Sequence, residues 1–270
     1  MTKLALDGSS CRLWLDGPAW DGAPAAAVGE LDFASPEAGA ALLAQALARA
    51  EAAGLSGLLA PMDGDTWHAY RAVVKSDGSP PFRLEPRSGP HDVVALEAAG
   101  LVHVARYVSG RAPVPAEPSP PPDIPGVAVV PWDGREAEAL LDRLFAMAGA
   151  SFADKLFFKP VGRDAFLDLY RPLLPLIDPR LVLFALDGSG DLQGFLFGLP
   201  DGDMAVLKTY AGRQPGVGRL LAHRFHELAR ELGFAHVVHA LMHEANVSLR
   251  RSEQHQGAVF RRYALYGRRP

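Results

Sequence analysis

Apolar and polar positions alternate most legibly in the second half of this chain. Three apolar runs, Leu181–Leu186, Leu192–Leu199 and Met204–Tyr210, are separated by Asp187-Gly188 and Asp201-Gly202. Asp-Gly between apolar runs is hairpin chemistry, so the three predict an antiparallel meander. Upstream, Val127–Val130 reads as a strand. Asp133 is placed to cap a helix whose apolar positions are Ala137, Leu140, Leu141, Leu144, Phe145 and Ala148. A second helical stretch, 162–177, is cut by Pro172 and Pro175. Downstream of the meander, Val217, Leu220, Leu221, Phe225, Leu228, Ala229 and Leu232 line one face of a helix stopped at Gly233. His236–Met242 is the next strand. A helix joins it to Met204–Tyr210, so these two strands are expected to be parallel. Glu244–His255 reads as a short helix and Ala258–Tyr266 as a final strand.

The first half is less regular. Val28–Phe33 reads as a strand, and Ser35-Pro36-Glu37 opens a helix with a cap, a proline at the first position and an acid, running to Ala53 before Gly54. Leu55–Pro61 is a strand, Asp65–Val73 a short helix and Val102–Val108 a last strand. Between the halves, seven of the thirteen residues from Pro113 to Pro125 are proline. Such a segment favours extended polyproline II. It predicts two domains, 1–112 and 126–270, joined by a linker at 113–125.

Composition narrows the class. With 270 residues, 49% hydrophobic and 21% charged, the chain has the make-up of a folded globular protein. A net charge of −4 offers no bulk attraction for nucleic acid. Cys11 is the single cysteine, so an intrachain disulfide and a cysteine-based metal site are excluded. No apolar run reaches membrane-spanning length, and Met1–Leu6 lacks the build of a signal peptide, so a cytoplasmic location is the expectation.

Residues 207–221 concentrate the chemistry. The strand end Leu207-Lys208-Thr209-Tyr210 runs into Arg213-Gln214-Pro215-Gly216-Val217-Gly218-Arg219, which opens onto the helix. Glycines let a loop turn its N–H groups one way, and the helix adds unpaired N–H donors and the positive end of its dipole. That is a cradle for phosphate or pyrophosphate. A Walker loop is excluded because Gly218 is followed by Arg219 and Leu220 instead of Lys-Ser/Thr; a dinucleotide fingerprint fails at Leu221. A plain connection with glycines for tight packing would read the same way.

The spacing Arg213-x-x-Gly216-x-Gly218 is similar to the Arg/Gln-x-x-Gly-x-Gly/Ala loop of the GNAT acyltransferases, and the element order over 126–267 resembles their fold. The resemblance implies an α/β (α+β) protein with a mixed, mostly antiparallel sheet flanked by helices. It also implies acetyl-coenzyme A held by the loop through its pyrophosphate, with Leu207, Lys208, Thr209, Arg213, Gln214, Gly216, Val217, Gly218 and Arg219 around it. An N–H of Lys208–Tyr210 would serve the carbonyl, and this strand and His236–Met242 would splay apart to admit the pantetheine arm. The resemblance further implies direct transfer of an acyl group to a primary amine, the acceptor being a small molecule or a peptide. A non-catalytic acyl-coenzyme A sensor is the alternative.

Asn246 and Gly257 fit the family pattern, but position 253 holds glutamate where a general-acid tyrosine often stands, and Ala258 replaces a phenylalanine. Glu253 is either an acid in a buried setting or an exposed helix glutamate, the commoner case. Tyr210, beside the cradle, is the favoured hydroxyl. His243 and Glu244 are base candidates at the strand end, or only polar end residues. Asn246 and Ser248 either bond the pantetheine amides or start the helix. No metal-ligand spacing links His223, His226, His239 and His243. The first half looks like the second part of the same fold, a degenerate repeat. Its residues 33–40 lack the cradle arginine and carry Glu37, so no coenzyme is expected there. Oligomeric state is not legible, and a homodimer stays open.

Overall fold

The computed structural model describes residues 1–269. They form two compact units: Met1–Tyr107 with Asp154–Lys159 and the chain from Arg261 onward, and Val108–Ala153 with Pro160–Phe260. In both, the sheet is mixed and mostly antiparallel, with helices packed on it.

In the first unit β1 (Thr2–Leu6) and β2 (Ser9–Trp14) form an antiparallel hairpin, followed by the two-residue strands β3 (Ala19–Trp20) and β4 (Ala23–Pro24). Next, β5 (Ala26–Asp32) pairs antiparallel with β2, and α1 (Pro36–Ala52) leads to β6 (Leu58–Ala60), parallel to β5. Helix α1 starts as its sequence dictates: Ser35 Oγ accepts from the Ala38 N–H at 3.2 Å. Its Leu42, Leu43 and Ala46 pack with Val28, Leu58 and Ala60 in the core. Then come β7 (Ala72–Ser76), α2 (Asp92–Ala98) and β8 (Val102–Pro113).

Two features depart from expectation here. The short helix expected at Asp65–Val73 is absent, because Asp65 Oδ1 accepts from the N–H groups of Trp67 (2.8 Å) and His68 (3.2 Å). That local turn competes with a helix, and β7 begins at Ala72. Conversely, β1, β2 and α2 are elements the pattern does not predict. In β2 the inward positions are Ser9, Cys11 and Leu13, and the buried serine and small thiol hide the alternation.

The second unit opens with β9 (Val127–Pro131), α3 (Ala137–Phe152) and α4 (Arg163–Tyr170). Asp133 does not cap α3: its Oδ1 accepts from the Arg135 N–H at 2.9 Å, and Glu136, in the left-handed region, precedes the helix. The second helical stretch is shorter than 162–177, because the chain tightens to 3₁₀ turns at Arg171–Leu176 around Pro175. The meander β10 (Val182–Asp187), β11 (Leu192–Asp201) and β12 (Met204–Gly212) is antiparallel as expected. Helix α5 (Val217–Glu231) crosses to β13 (His236–His243), parallel to β12. It buries Val217, Leu221, Phe225 and Leu228 on the sheet, and Phe225 alone contributes about 1.5–3 kcal/mol. Helix α6 starts later than expected, at Val247–Gln254, and β14 (Ala258–Arg268) is the last strand. From Arg261 onward β14 belongs to the first unit, where it pairs with β6 and β7.

Candidate functional site

Strands β12 and β13 pair over only four positions, from Met204↔His236 to Leu207↔His239. At the next residue, Lys208, β12 bulges against β11: the register passes from Gly198↔Leu207 to Phe197↔Thr209. A bulge bends and twists its strand. On β13, Leu241 takes a left-handed conformation (φ 58°) and gives its N–H to Ser109 Oγ at 3.0 Å. Both strands therefore leave the shared ladder at one level. This parting is the splay the resemblance implies, and the bulge causing it has no signature in the sequence.

Beyond the bulge, β12 ends and the glycine loop begins. The Arg213 N–H donates to Gln193 O (2.8 Å), and Gln214 Nε2 donates to Gln193 Oε1 (3.2 Å), fastening the loop to β11. Gly216 sits at φ +92°, in the region that favours glycine, and its carbonyl accepts from the N–H groups of Arg219 (2.9 Å) and Leu220 (3.0 Å) to start α5. Among the described residues the N–H groups of Gly216 and Gly218 have no partner. The first turn of α5 carries no acid, and Arg213 and Arg219 are exposed on either side. Leu207 and Val217 are buried beneath the loop, their side chains packed in the core of the unit. Unpaired amides, a helix N-terminus and cations without a nearby acid fit a diphosphate.

Side chains close over both glycines. A Cβ at Gly216 would run into Ile124 Cδ1, and one at Gly218 would lie 2.9 Å from Tyr210 Cε2 and 3.0 Å from Arg251 Nη1. Arg251, on α6, donates to Tyr210 Oη at 3.1 Å. In the sequence Arg251 is one of several arginines of a basic tail, and nothing in the local pattern of α6 marks its contact with Tyr210. Tyr210, Gly218 and Arg251 thus meet at the loop, next to half-buried Lys208 and Thr209.

The other candidates fall differently. Asn246 Oδ1 caps α6, accepting from the Ser248 N–H at 3.3 Å, so of its two readings the helix start is the one occupied. His243 Nδ1 accepts the Ala245 N–H at 3.1 Å, which leaves the ring proton on Nε2 and removes that nitrogen as an acceptor. Glu244 is half-buried in the turn after β13, and Glu253 lies exposed on α6 without the burial its acid role would need.

Three imidazoles that the sequence keeps apart meet behind the site. His226 Nε2 and His239 Nε2 are 2.8 Å apart, His239 Nδ1 lies 2.7 Å from Ser252 Oγ, and His255 stacks on His226 at 4.0 Å. Burial, reinforced by neighbouring imidazoles, pulls His226 down to about 2 and His239 to about 4. His226 Nδ1 is buried without a partner among the described residues. A bare lone pair there is less costly than a bare N–H, so His226 donates through Nε2 and His239 in turn donates to Ser252. A histidine within the apolar run of β13 was the available signal. Among the described residues no group of histidine, cysteine or acidic side chains is arranged for a metal ion, and no helix is long and apolar enough to cross a membrane.

No protein-family model and no curated protein matches the sequence. Solved structures do match in fold. A GCN5-related N-acetyltransferase from Sphaerobacter thermophilus superposes with a TM-score of 0.61 at 13% identity, over 97% of this chain and 78% of that one. A tandem GNAT protein from the clavulanic acid biosynthesis pathway gives 0.55 at 16% identity, over 97% and 78%. A probable N-acyltransferase from Enterococcus faecalis gives 0.58 at 8%, over 97% of this chain and 59% of that one. The chain has the GNAT N-acetyltransferase fold along nearly its whole length.

Proposed function

We propose that the protein is an N-acyltransferase that moves an acyl group, acetyl by default, from acyl-coenzyme A to a primary amine. The observation carrying this is the coincidence of the parted β12/β13 pair with the α5 loop, whose Gly216 and Gly218 amides are unpaired among the described residues. Bound acetyl-coenzyme A would supply an acyl group activated as a thioester. Arg213 and the Gly216 and Gly218 amides hold the diphosphate, with Val217 and Arg219 in the same turn and Gln214 bracing the loop. Past Leu207, β12 turns an N–H of Lys208–Tyr210 toward the opening, where it stabilises negative charge on the carbonyl oxygen. Tyr210 is the proton donor to the departing thiolate. Glu244, at the end of β13, is the remaining candidate to take the amine proton. Asn246 and Ser248 flank the pantetheine side, chiefly as the start of α6.

Exposed Glu253, at the position where the family often carries tyrosine, favours the second reading, an acyl-coenzyme A sensor. Thiol release from acetyl-coenzyme A across a panel of amines separates the two. Turnover supports the enzyme, whereas micromolar binding without turnover on any amine supports the sensor. We also propose that 1–112 and 126–270 are domains joined at 113–125, for which limited proteolysis should cut first within the proline-rich segment. We also propose a cytoplasmic location, the expectation drawn from the sequence, and cell fractionation tests it.

A further inference from the structure

We infer that Arg251 is the positioning residue that makes Tyr210 a proton donor, an inference resting on the acyltransferase reading above. A guanidinium has only N–H groups to offer, so in the 3.1 Å contact Arg251 Nη1 donates and Tyr210 Oη accepts. The phenol proton is thereby directed away from Arg251. The ring itself is fixed: it lies against Gly218, where any Cβ would meet Cε2, and the Arg251 cation stands 5.8 Å from the ring centroid. Tyr210 comes two residues after the bulge that takes β12 out of its ladder with β13. A hydroxyl held at that level serves the opening between the strands. Arg251 reaches it from α6, which is itself held down by Ser252 on His239. Tyr210 and Arg251 thereby join a proton-bearing hydroxyl, a fixed cation and the glycine loop in one place.

In the step this serves, the amine nitrogen forms the C–N bond with the carbonyl carbon as the C–S bond breaks, and the electron pair of that bond stays on sulfur. Tyr210 gives its proton to the sulfur. The surplus amine proton passes to Glu244 and from there to solvent, and the phenolate is reprotonated from solvent. Arg251 does not touch the reacting atoms. It fixes the direction of the hydroxyl and stands beside the charge that appears on it.

The test combines Arg251→Gln, Arg251→Lys, Tyr210→Phe and the double variant Arg251→Gln/Tyr210→Phe. Binding of coenzyme A is measured by calorimetry, kcat and KM are measured on the amine found active, and the Tyr210 Cζ resonance is tracked in ¹³C-tyrosine-labelled protein without coenzyme. Arg251→Gln is expected to leave the coenzyme Kd within about threefold and to lower kcat about tenfold or more, with Arg251→Lys recovering part of the loss. The double variant should be no slower than Tyr210→Phe, because the two residues act as one unit. The Tyr210 resonance should shift in Arg251→Gln. Additive losses, an unmoved resonance, or a lost Kd with kcat intact would overturn the positioning role alone. Wild-type protein that binds no coenzyme A would overturn the acyltransferase reading, and this inference with it.

Discussion

The two units contain the same arrangement twice, and only one copy is open. In the first, β1, β2 and β5 run antiparallel, α1 comes next, and β6 returns parallel to β5; in the second, β10, β11 and β12 lead through α5 to β13, parallel to β12. Both central strands lose register just beyond the parallel ladder, β5 near Glu30 and β12 at Lys208. Past that level the copies diverge. In the first unit Met62 donates its N–H to Val28 O at 2.7 Å, and the Asp63 carboxylate accepts from the Glu30 N–H at 2.7 Å. That side chain lies against Gly29, where a Cβ would collide with it. The gap between the strands is therefore stitched shut. In the second unit the corresponding backbone has turned away, and the space is edged by Tyr210.

The helix starts differ in the same sense. Helix α1 satisfies its own N-terminus with Ser35 and adds Glu37 in the first turn, which repels an anion. Helix α5 begins at a left-handed glycine, and the Gly216 and Gly218 amides stay unpaired among the described residues. One arrangement is thus closed in the first copy and parted in the second through few residues: Ser35 against Gly216, Glu37 against an acid-free first turn, and Asp63 on the closed side alone.

Breaking the open copy should have the largest effect. Gly216→Val places a β-branched side chain at φ +92° and against Ile124, and is expected to abolish measurable coenzyme A binding in calorimetry while α1 keeps its hydrogen-exchange protection. Retained affinity would refute the cradle.

Acid should separate the units next. The folded-state pKa values of His226 and His239 lie below the ordinary 6.5, at about 2 and about 4. The unfolded chain therefore takes up protons first, and stability falls as pH drops below about 6.5. His239 alone contributes on the order of 1–2 kcal/mol of loss between pH 7 and pH 5. Hydrogen exchange in α5 and α6 should accelerate over this range before that in α1, whose matching face is Leu42, Leu43 and Ala46. Equal acceleration in all three helices would show that the imidazole cluster is not the cause.

Smaller effects sharpen the contrast. Arg213→Ala removes an exposed cation and should weaken coenzyme A binding about tenfold, measured at fixed salt. Asp63→Ala leaves the Glu30 N–H to water and should cost about 1 kcal/mol in denaturant unfolding, with no change in coenzyme affinity. A gain of coenzyme binding there would mean that Asp63 alone kept the first copy shut.

Much of this fold is legible in the chain itself. The Asp-Gly turns mark the meander, the helix between β12 and β13 dictates their parallel pairing, and Arg213, Gly216 and Gly218 mark the loop by spacing alone. Features that depend on tertiary contact are not legible. The Lys208 bulge is set by how β11 and β12 pair, and Lys208 itself is unexceptional as a residue. Arg251 and Tyr210 are 41 positions apart, and His226 meets His239 only because α5 packs on β13. Asp65 breaks an expected helix by bonding two backbone amides, a choice that helical spacing does not reveal.

The most direct measurement tracks backbone amide resonances of the full chain during titration with coenzyme A. With an open cradle, Gln214 and Gly216 to Arg219 should shift together, led by Gly216 and Gly218, while residues 33–38 and 60–64 stay in place. A silent 214–219 segment, or a response centred on Ser35 and Asp63, would contradict it.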